Sequence, residues 1–451
     1  MESQTWRAVA AAGAFAIAAS MPAFAQDSSG LTSFGGFMAK VDRVIRGGTV
    51  VIPESSIEKP PGRAHTHLEI VIPNTPLSPP FDCDFSSTCE TPASLACVYE
   101  LVPRSNGCDP DIVTKVASGG SQAIAIVDAY DDKTALSDLK KFSSTFGLPA
   151  PDLNVVYCNA TSCTNVTSPP PGCKNGDNAC GWAGEESLDM QAAHAMAPKA
   201  KIYLVEAFSD SNADLLLAEV KAAQLVAAAG GGEVTNSWGG QDHPGESSND
   251  GDFVHTGVVF FASTGDHKND SDPPYKPDIE YPSTSVDVVG VGGTLINRND
   301  NFEFTFESPW ADGGGGLSTG ESRPSYQDGV ENKVGGHRGV PDIAADASPS
   351  SGLLVYCSAS ACDLPDGSGF YIVGGTSLAS PLVAAMTNAA GQFRTSTTAE
   401  HDEIYNNLGS SKYNAVTHGQ CHNGPGAAVV DAGPGWDVCT GVGTPHGLSG
   451  L

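Results

Sequence analysis

Short apolar runs alternate with amphipathic stretches through the middle of this chain. Ala123–Asp128, Leu153–Tyr157, Lys201–Ala207, Val234–Gly239, Val258–Ser263 and Val286–Val291 are apolar runs of strand length. Near-continuous apolarity is the pattern of strands buried on both faces of a parallel sheet. Between them, Ala135–Phe146 stops at Gly147, Glu185–Met196 stops at Ala197-Pro198, and Ala213–Ala229 closes on three glycines. These read as helices with their stop signals. The alternation predicts an α/β fold, a doubly wound and mostly parallel sheet with helices on both faces. One domain is expected, from about residue 91 to 451.

The first ninety residues follow a different pattern. Residues 1–25 carry Arg7, an Ala-rich apolar run and Ala23-Phe24-Ala25, which reads as a secretory signal cleaved after Ala25. Residues 26–90 are rich in Ser, Gly and Pro, with Gly48–Pro53 and Leu68–Pro73 as two short apolar stretches. They are expected to form a short leader or N-terminal extension. A secreted or periplasmic location follows. Twelve cysteines in an exported chain imply disulfides. Proximity in sequence suggests Cys83–Cys89, Cys97–Cys108, Cys158–Cys163, Cys173–Cys180, Cys357–Cys362 and Cys421–Cys439. A formal net charge of −29 argues against nucleic acid as a partner, because phosphates repel so acidic a protein. It also suits acidic surroundings, where protonated carboxyls lower the self-repulsion.

Candidate chemistry gathers at three places. The apolar run Gly369–Gly374 passes through Gly375-Thr376-Ser377 into Ala-rich, helix-like sequence from Pro381 to Met386. A serine at such a glycine-pinched junction exposes its hydroxyl beside the free amides of a helix start, an arrangement suited to acyl transfer. Glu185 and Asp189 are four residues apart, so a helix puts both carboxyls on one face, where they can share a proton. A solvated acidic face near a helix start is the other reading of that pair. Ser263-Thr264-Gly265-Asp266 directly follows a predicted strand, at the end of the sheet where α/β proteins place their sites. No histidine stands in a His-Gly-Thr context; His194 reads as a packed or surface residue. The acidic pair is then the candidate base for Ser377.

Taken together, Gly375–Pro381, Glu185-x-x-x-Asp189 with Gln191 and Ala197-Pro198, and Ser263–Asp266 resemble the sedolisin (serine-carboxyl peptidase) family. Asn236–Gly239, Tyr281-Pro282-Ser283, Val291–Thr294, Gly313–Ser318 and Pro341–Asp346 agree in order and spacing, and the resemblance runs from about Thr91 to the C-terminus. It implies a subtilisin-like fold, a protein or peptide substrate and a secreted endopeptidase without membrane anchoring. It further implies Ser377 as nucleophile, Glu185 as general base, Asp189 as the carboxyl that tunes it, and Asp266 in the oxyanion hole. Ser237 and Gly239 would line a strand that pairs with the substrate backbone, with Trp238 packed nearby and Asp128 behind the acids. Glu186 is the rival base by spacing alone. The chain is expected to be a monomer.

Two departures from the family are visible. Residues 26–90 are much shorter than the folded pro-domain that family members usually carry. At the C-terminal calcium site, Gly433-Pro434-Gly435-Trp436-Asp437 is intact, but Ala415 stands where the first ligand Asp belongs. Val416, Gly433, Gly435 and Asp437 would make a weak Ca2+ site, since a hard cation wants six or more oxygens with carboxylates among them. Two other functions stay open from sequence: a secreted binding module on the same fold, and a histidine-dependent subtilisin-like hydrolase using Ser377 and Asp128. The latter needs a histidine beside Ser377.

Overall fold

The structure is a computed structural model. It describes residues 32–451 apart from 35–36, 46, 84–88, 267–278, 359–361, 363, 365–368 and 423–428. The expected signal segment, residues 1–25, lies outside the described residues.

The apolar runs assemble into one eight-stranded sheet. From one edge its order is Asp152–Tyr157, Lys201–Ala207, Ala123–Ala129, Gly232–Asn236, Val258–Ser263 and Val289–Arg298. All of these pair in parallel, and Ile343–Asp346 also pairs in parallel with Val289–Arg298. Phe304–Pro309 closes the far edge antiparallel. Because side chains alternate along a strand, the sheet feeds two cores. Ile124, Ile126, Ile202, Leu204 and Phe261 belong to one, which also holds Leu188 and Met190 of helix Asn178–Met196 and Leu382 of helix Thr376–Ala390. Ala125, Val127, Val205, Phe260 and Ala262 belong to the other, packed on Leu215, Ala222 and Val226 of helix Asn212–Ala228. Among the described residues, no helix is long and apolar enough to cross a membrane.

Most expected elements appear within a residue or two of their sequence bounds. Two differ in a way that matters. Helix Asn178–Met196 starts seven residues ahead of the expected Glu185, and all but its first residue is buried. A helix without a polar face lacks the periodicity that marks a start, so the acidic motif sits mid-helix and not near its N-terminus. The run Val234–Gly239 breaks at Ser237 into strands Gly232–Asn236 and Trp238–Gln241.

The segment expected as a leader is built into the body. Thr32–Phe34, Phe37–Ile45, Gly48–Pro53 and Glu69–Pro73 form successive strands of a six-stranded antiparallel sheet completed by Gly369–Gly374 and Leu353–Cys357. Val50, Val51, Ile70 and Val71 enter the same core as Ile372 and Val373. The strand that delivers Ser377 is thus paired on one side with residues 69–71. All six disulfides form in the pairs that sequence proximity suggests.

Candidate active site

Ser377 is the second residue of helix Thr376–Ala390. Its amide has no partner within the helix, as for every residue of a first turn. Gly375 makes the approach: its φ is 103°, and a Cβ there would lie 1.9 Å from the His67 carbonyl oxygen and 2.7 Å from Asp266 Oδ2. Only glycine fits such a conformation and such a contact. Asp266 Oδ1 accepts from the Thr376 amide and from its hydroxyl, both at 2.8 Å. The predicted oxyanion-hole carboxyl is therefore fixed beside the helix start.

The acids approach from helix Asn178–Met196, which packs against the Ser377 helix. Glu185, Asp189 and Asp128 are all fully buried. Burial first, and then Asp189 and Asp128, push the Glu185 carboxyl well above the usual range, and neither of its oxygens has a hydrogen-bond partner among the described residues. Asp189 is likewise pushed up by burial, against the hydrogen bond from Ser237. Asp128 rises through burial and the neighbouring Asp189 and Glu206. Glu185, Asp189 and Asp128 thus form one buried cluster of carboxyls, each favouring its proton. Glu186 turns elsewhere: burial, Glu206 and Asp132 raise it. One residue along a helix is a rotation of about 100°, which separates the two glutamates.

Ser237 links the parts. Its hydroxyl donates to Asp189 Oδ1 at 2.8 Å and lies 3.2 Å from the Ser377 carbonyl oxygen, while its own carbonyl accepts from Ser377 Oγ at 3.3 Å. Trp238 is buried, with its indole N–H on the Val127 carbonyl at 2.9 Å. His194 is buried away from the site, with Nε2 3.0 Å from the Pro149 carbonyl.

What sequence reasoning missed is the occupant of the cleft. His65–Thr66 pairs antiparallel with Trp238–Gln241, with Thr66 opposite Trp238 and His65 opposite Gly239. The His67 amide donates to the Ser237 carbonyl at 3.4 Å and to Ser377 Oγ at 3.1 Å. The Ser377 amide in turn donates to the His67 carbonyl at 3.2 Å. The edge expected to pair with substrate thus holds the protein's own chain, with the His67 carbonyl on the Ser377 amide. The His67 ring leads away from Ser377, to Ser263 Oγ at 2.6 Å and Glu280 Oε2 at 2.7 Å. The alternation His65-x-His67, which puts two imidazoles on one face of an extended segment, was the available signal.

At the C-terminal loop, the Asp437 carboxyl is already engaged. Oδ2 accepts from the Gly433 amide at 3.0 Å, and Oδ1 from the Cys439 and Thr440 amides, each at 2.9 Å. With Ala415 offering no carboxylate and Asp437 turned to N–H donors, these residues do not fit a calcium site. The Cys421–Cys439 disulfide closes the same loop.

The fold and the site define a subtilisin-like hydrolase scaffold with a serine and carboxyls in its cleft. Residues 173–409 match the subtilase family (peptidase S8), and the chain belongs to that family, in its sedolisin branch. It is 28% identical over 384 residues to kumamolisin of Bacillus sp. (strain MN-32), covering 80% of this chain and 63% of that protein. It is 30% identical over 184 residues to sedolisin of Pseudomonas sp. (strain 101), covering 37% of this chain and 28% of that protein. The chain therefore spans less than two thirds of the length of these curated relatives. The solved structure of Pseudomonas sedolisin, a serine-carboxyl proteinase complexed with two molecules of pseudo-iodotyrostatin, superposes with a TM-score of 0.61 at 23% identity. That match covers 80% of this chain and 96% of the other, and it speaks for the fold.

Proposed function

We propose that this protein is a secreted serine-carboxyl endopeptidase that hydrolyses protein and peptide substrates under acidic conditions, as a monomer. The observation that carries the reading is the peptide already lying in the cleft. Its His67 amide and carbonyl meet Ser237 and Ser377 as an extended substrate would.

In this reading Ser377 Oγ attacks the substrate carbonyl carbon and passes its proton to Glu185, which Asp189 and Asp128 support. The carbonyl oxygen gains negative charge between the Ser377 amide and a protonated Asp266. Collapse breaks the C–N bond, Glu185 returns the proton to the departing amine, and an acyl-enzyme remains on Ser377. Water then releases the acid by the same route, its proton passing through Glu185 to Ser377. A carboxyl base works best near its own pKa, and an aspartate donates to an oxyanion only when protonated. The six disulfides support an exported protein, and the need for a protonated Asp266 at the oxyanion is what favours work at low pH. The test is a pH–activity profile of the full chain on a denatured protein substrate. An acidic optimum with loss toward neutrality is expected; an optimum at neutral or alkaline pH, or no hydrolysis at any pH, overturns the reading.

A further inference from the structure

The side chains of the segment in the cleft converge on one acid. His67 Nε2 lies 2.7 Å from Glu280 Oε2, and His65 Nε2 lies 3.1 Å from Glu280 Oε1. The two rings stand edge to face with centroids 5.4 Å apart. On its other side His67 Nδ1 meets Ser263 Oγ at 2.6 Å, so both ring nitrogens are held. Glu280 is buried and comes from the short strand Glu280–Tyr281, which pairs with Gly240 and Gln241 of strand Trp238–Gln241, on the side of that strand opposite the segment. Glu280 thus reaches the His67 side chain across the same strand that pairs with the segment.

Gly239 makes the space. A Cβ at that position would lie 2.5 Å from Glu280 Oε2 and 3.0 Å from His67 Cε1. Any side chain there would displace the acid or the ring, so this edge keeps room for a carboxylate to reach an incoming side chain. Burial alone would raise the Glu280 carboxyl, but the charges of His65 and His67 and their hydrogen bonds outweigh it and hold it well below the usual range. A buried carboxylate is costly without a hydrogen-bonded cationic partner. A neutral side chain in this pocket would leave Glu280 to be protonated or unpaired.

We propose that Glu280 selects substrates with a basic side chain on the residue whose carbonyl Ser377 attacks, and that a second basic side chain two residues upstream adds to the selection. The inference deepens the peptidase reading above and rests on it. His67 marks the first position and His65 the second, because both reach the same carboxylate from the strand register that a substrate would adopt. Truncating one partner of a buried charge pair costs about 2–5 kcal/mol, so discrimination of roughly 30-fold or more between basic and apolar residues is expected at the first position.

The experiment measures kcat/KM for the full chain at acidic pH, on peptides identical except for His, Arg, Leu or Glu at the attacked position. The His and Arg peptides are expected to exceed the Leu peptide by about 30-fold or more, with Glu poorest. In Glu280→Gln the ratio of His to Leu is expected to collapse toward one. Equal rates for all peptides in the wild type overturn the proposal and leave the peptidase reading standing, and this holds even if the variant does not fold. An unchanged ratio in a folded Glu280→Gln protein also overturns it. If no peptide is cleaved at any pH, the peptidase reading falls and the proposal falls with it.

Discussion

The His67 amide donates to the Ser377 hydroxyl at 3.1 Å, and the Ser377 amide donates back to the His67 carbonyl at 3.2 Å. In the proposed mechanism this reciprocal pair places the His67–Leu68 peptide bond where a substrate bond would be attacked. It also closes the cleft to other chains. The full chain is therefore expected to be latent when first made and to acquire activity on acidification. N-terminal sequencing after acid incubation should find a new end at Leu68. The Ser377→Ala protein should not produce that end; if it does, another agent makes the cut.

Ser377→Ala and Glu185→Gln are each expected to reduce turnover by several orders of magnitude while leaving the far-ultraviolet circular dichroism unchanged. In the proposed mechanism nucleophile and base act as one unit, so their losses should not add. The double variant should be about as poor as either single one. A double variant far worse than both would separate the two residues into independent roles.

Asp266→Asn is expected to retain more activity than Asp266→Ala and to move the active range toward higher pH. Oδ1 can keep accepting from Thr376, while the new amide donates toward the oxyanion without needing a proton. Removing an oxyanion donor typically costs ~10²–10³ in turnover, which sets the expectation for the Ala variant. A pH profile in the Asn variant that superposes on the wild type would remove Asp266 from that role.

Stability should be greatest in acid. Burial raises Asp132 to about 7, Glu219 to about 8 and Glu206 to about 10. A carboxyl whose folded pKa lies above its unfolded value contributes fully below the unfolded pKa, and that contribution is lost as pH rises toward the folded one. The window therefore runs from about pH 4, the ordinary carboxyl range, upward through pH 7 to 10. Thermal melting is expected to fall by several degrees between pH 4 and pH 8, with repulsion among the excess acids adding to the loss. A Tm that rises over that interval would contradict the buried, protonated acids.

Chelation is expected to leave the melting temperature unchanged, because Asp437 is turned to the amides of Gly433, Cys439 and Thr440. Replacing Cys421 and Cys439 with serine should destabilise instead, by ~3 kcal/mol for a loop of this length. A sequence separation of 18 between them makes the bridge a staple for the loop. A Tm several degrees lower with chelator than without would overturn this account.

The apolar runs carried the parallel sheet because burial on both faces leaves a continuous signature in one dimension. Gly375-Thr376-Ser377, Glu185-x-x-x-Asp189 and Ser263–Asp266 were legible for a similar reason. Each is a local arrangement in which spacing on a helix or position after a strand already fixes where the side chains go. The six cysteine pairs were short-range and equally local. What the sequence left open needed contacts between distant segments. Glu185 and Glu186 differ only in which way a fully buried helix faces, and their neighbours Asp128 and Glu206 come from other strands. The N-terminal stretch carries little apolar periodicity of its own, and it becomes structure only by pairing with Gly369–Gly374 and Trp238–Gln241. His67 and Ser377 are 310 residues apart in the chain. No local pattern could join them, and only the packing of the strand before Ser377 against residues 69–71 brings that histidine to the nucleophile.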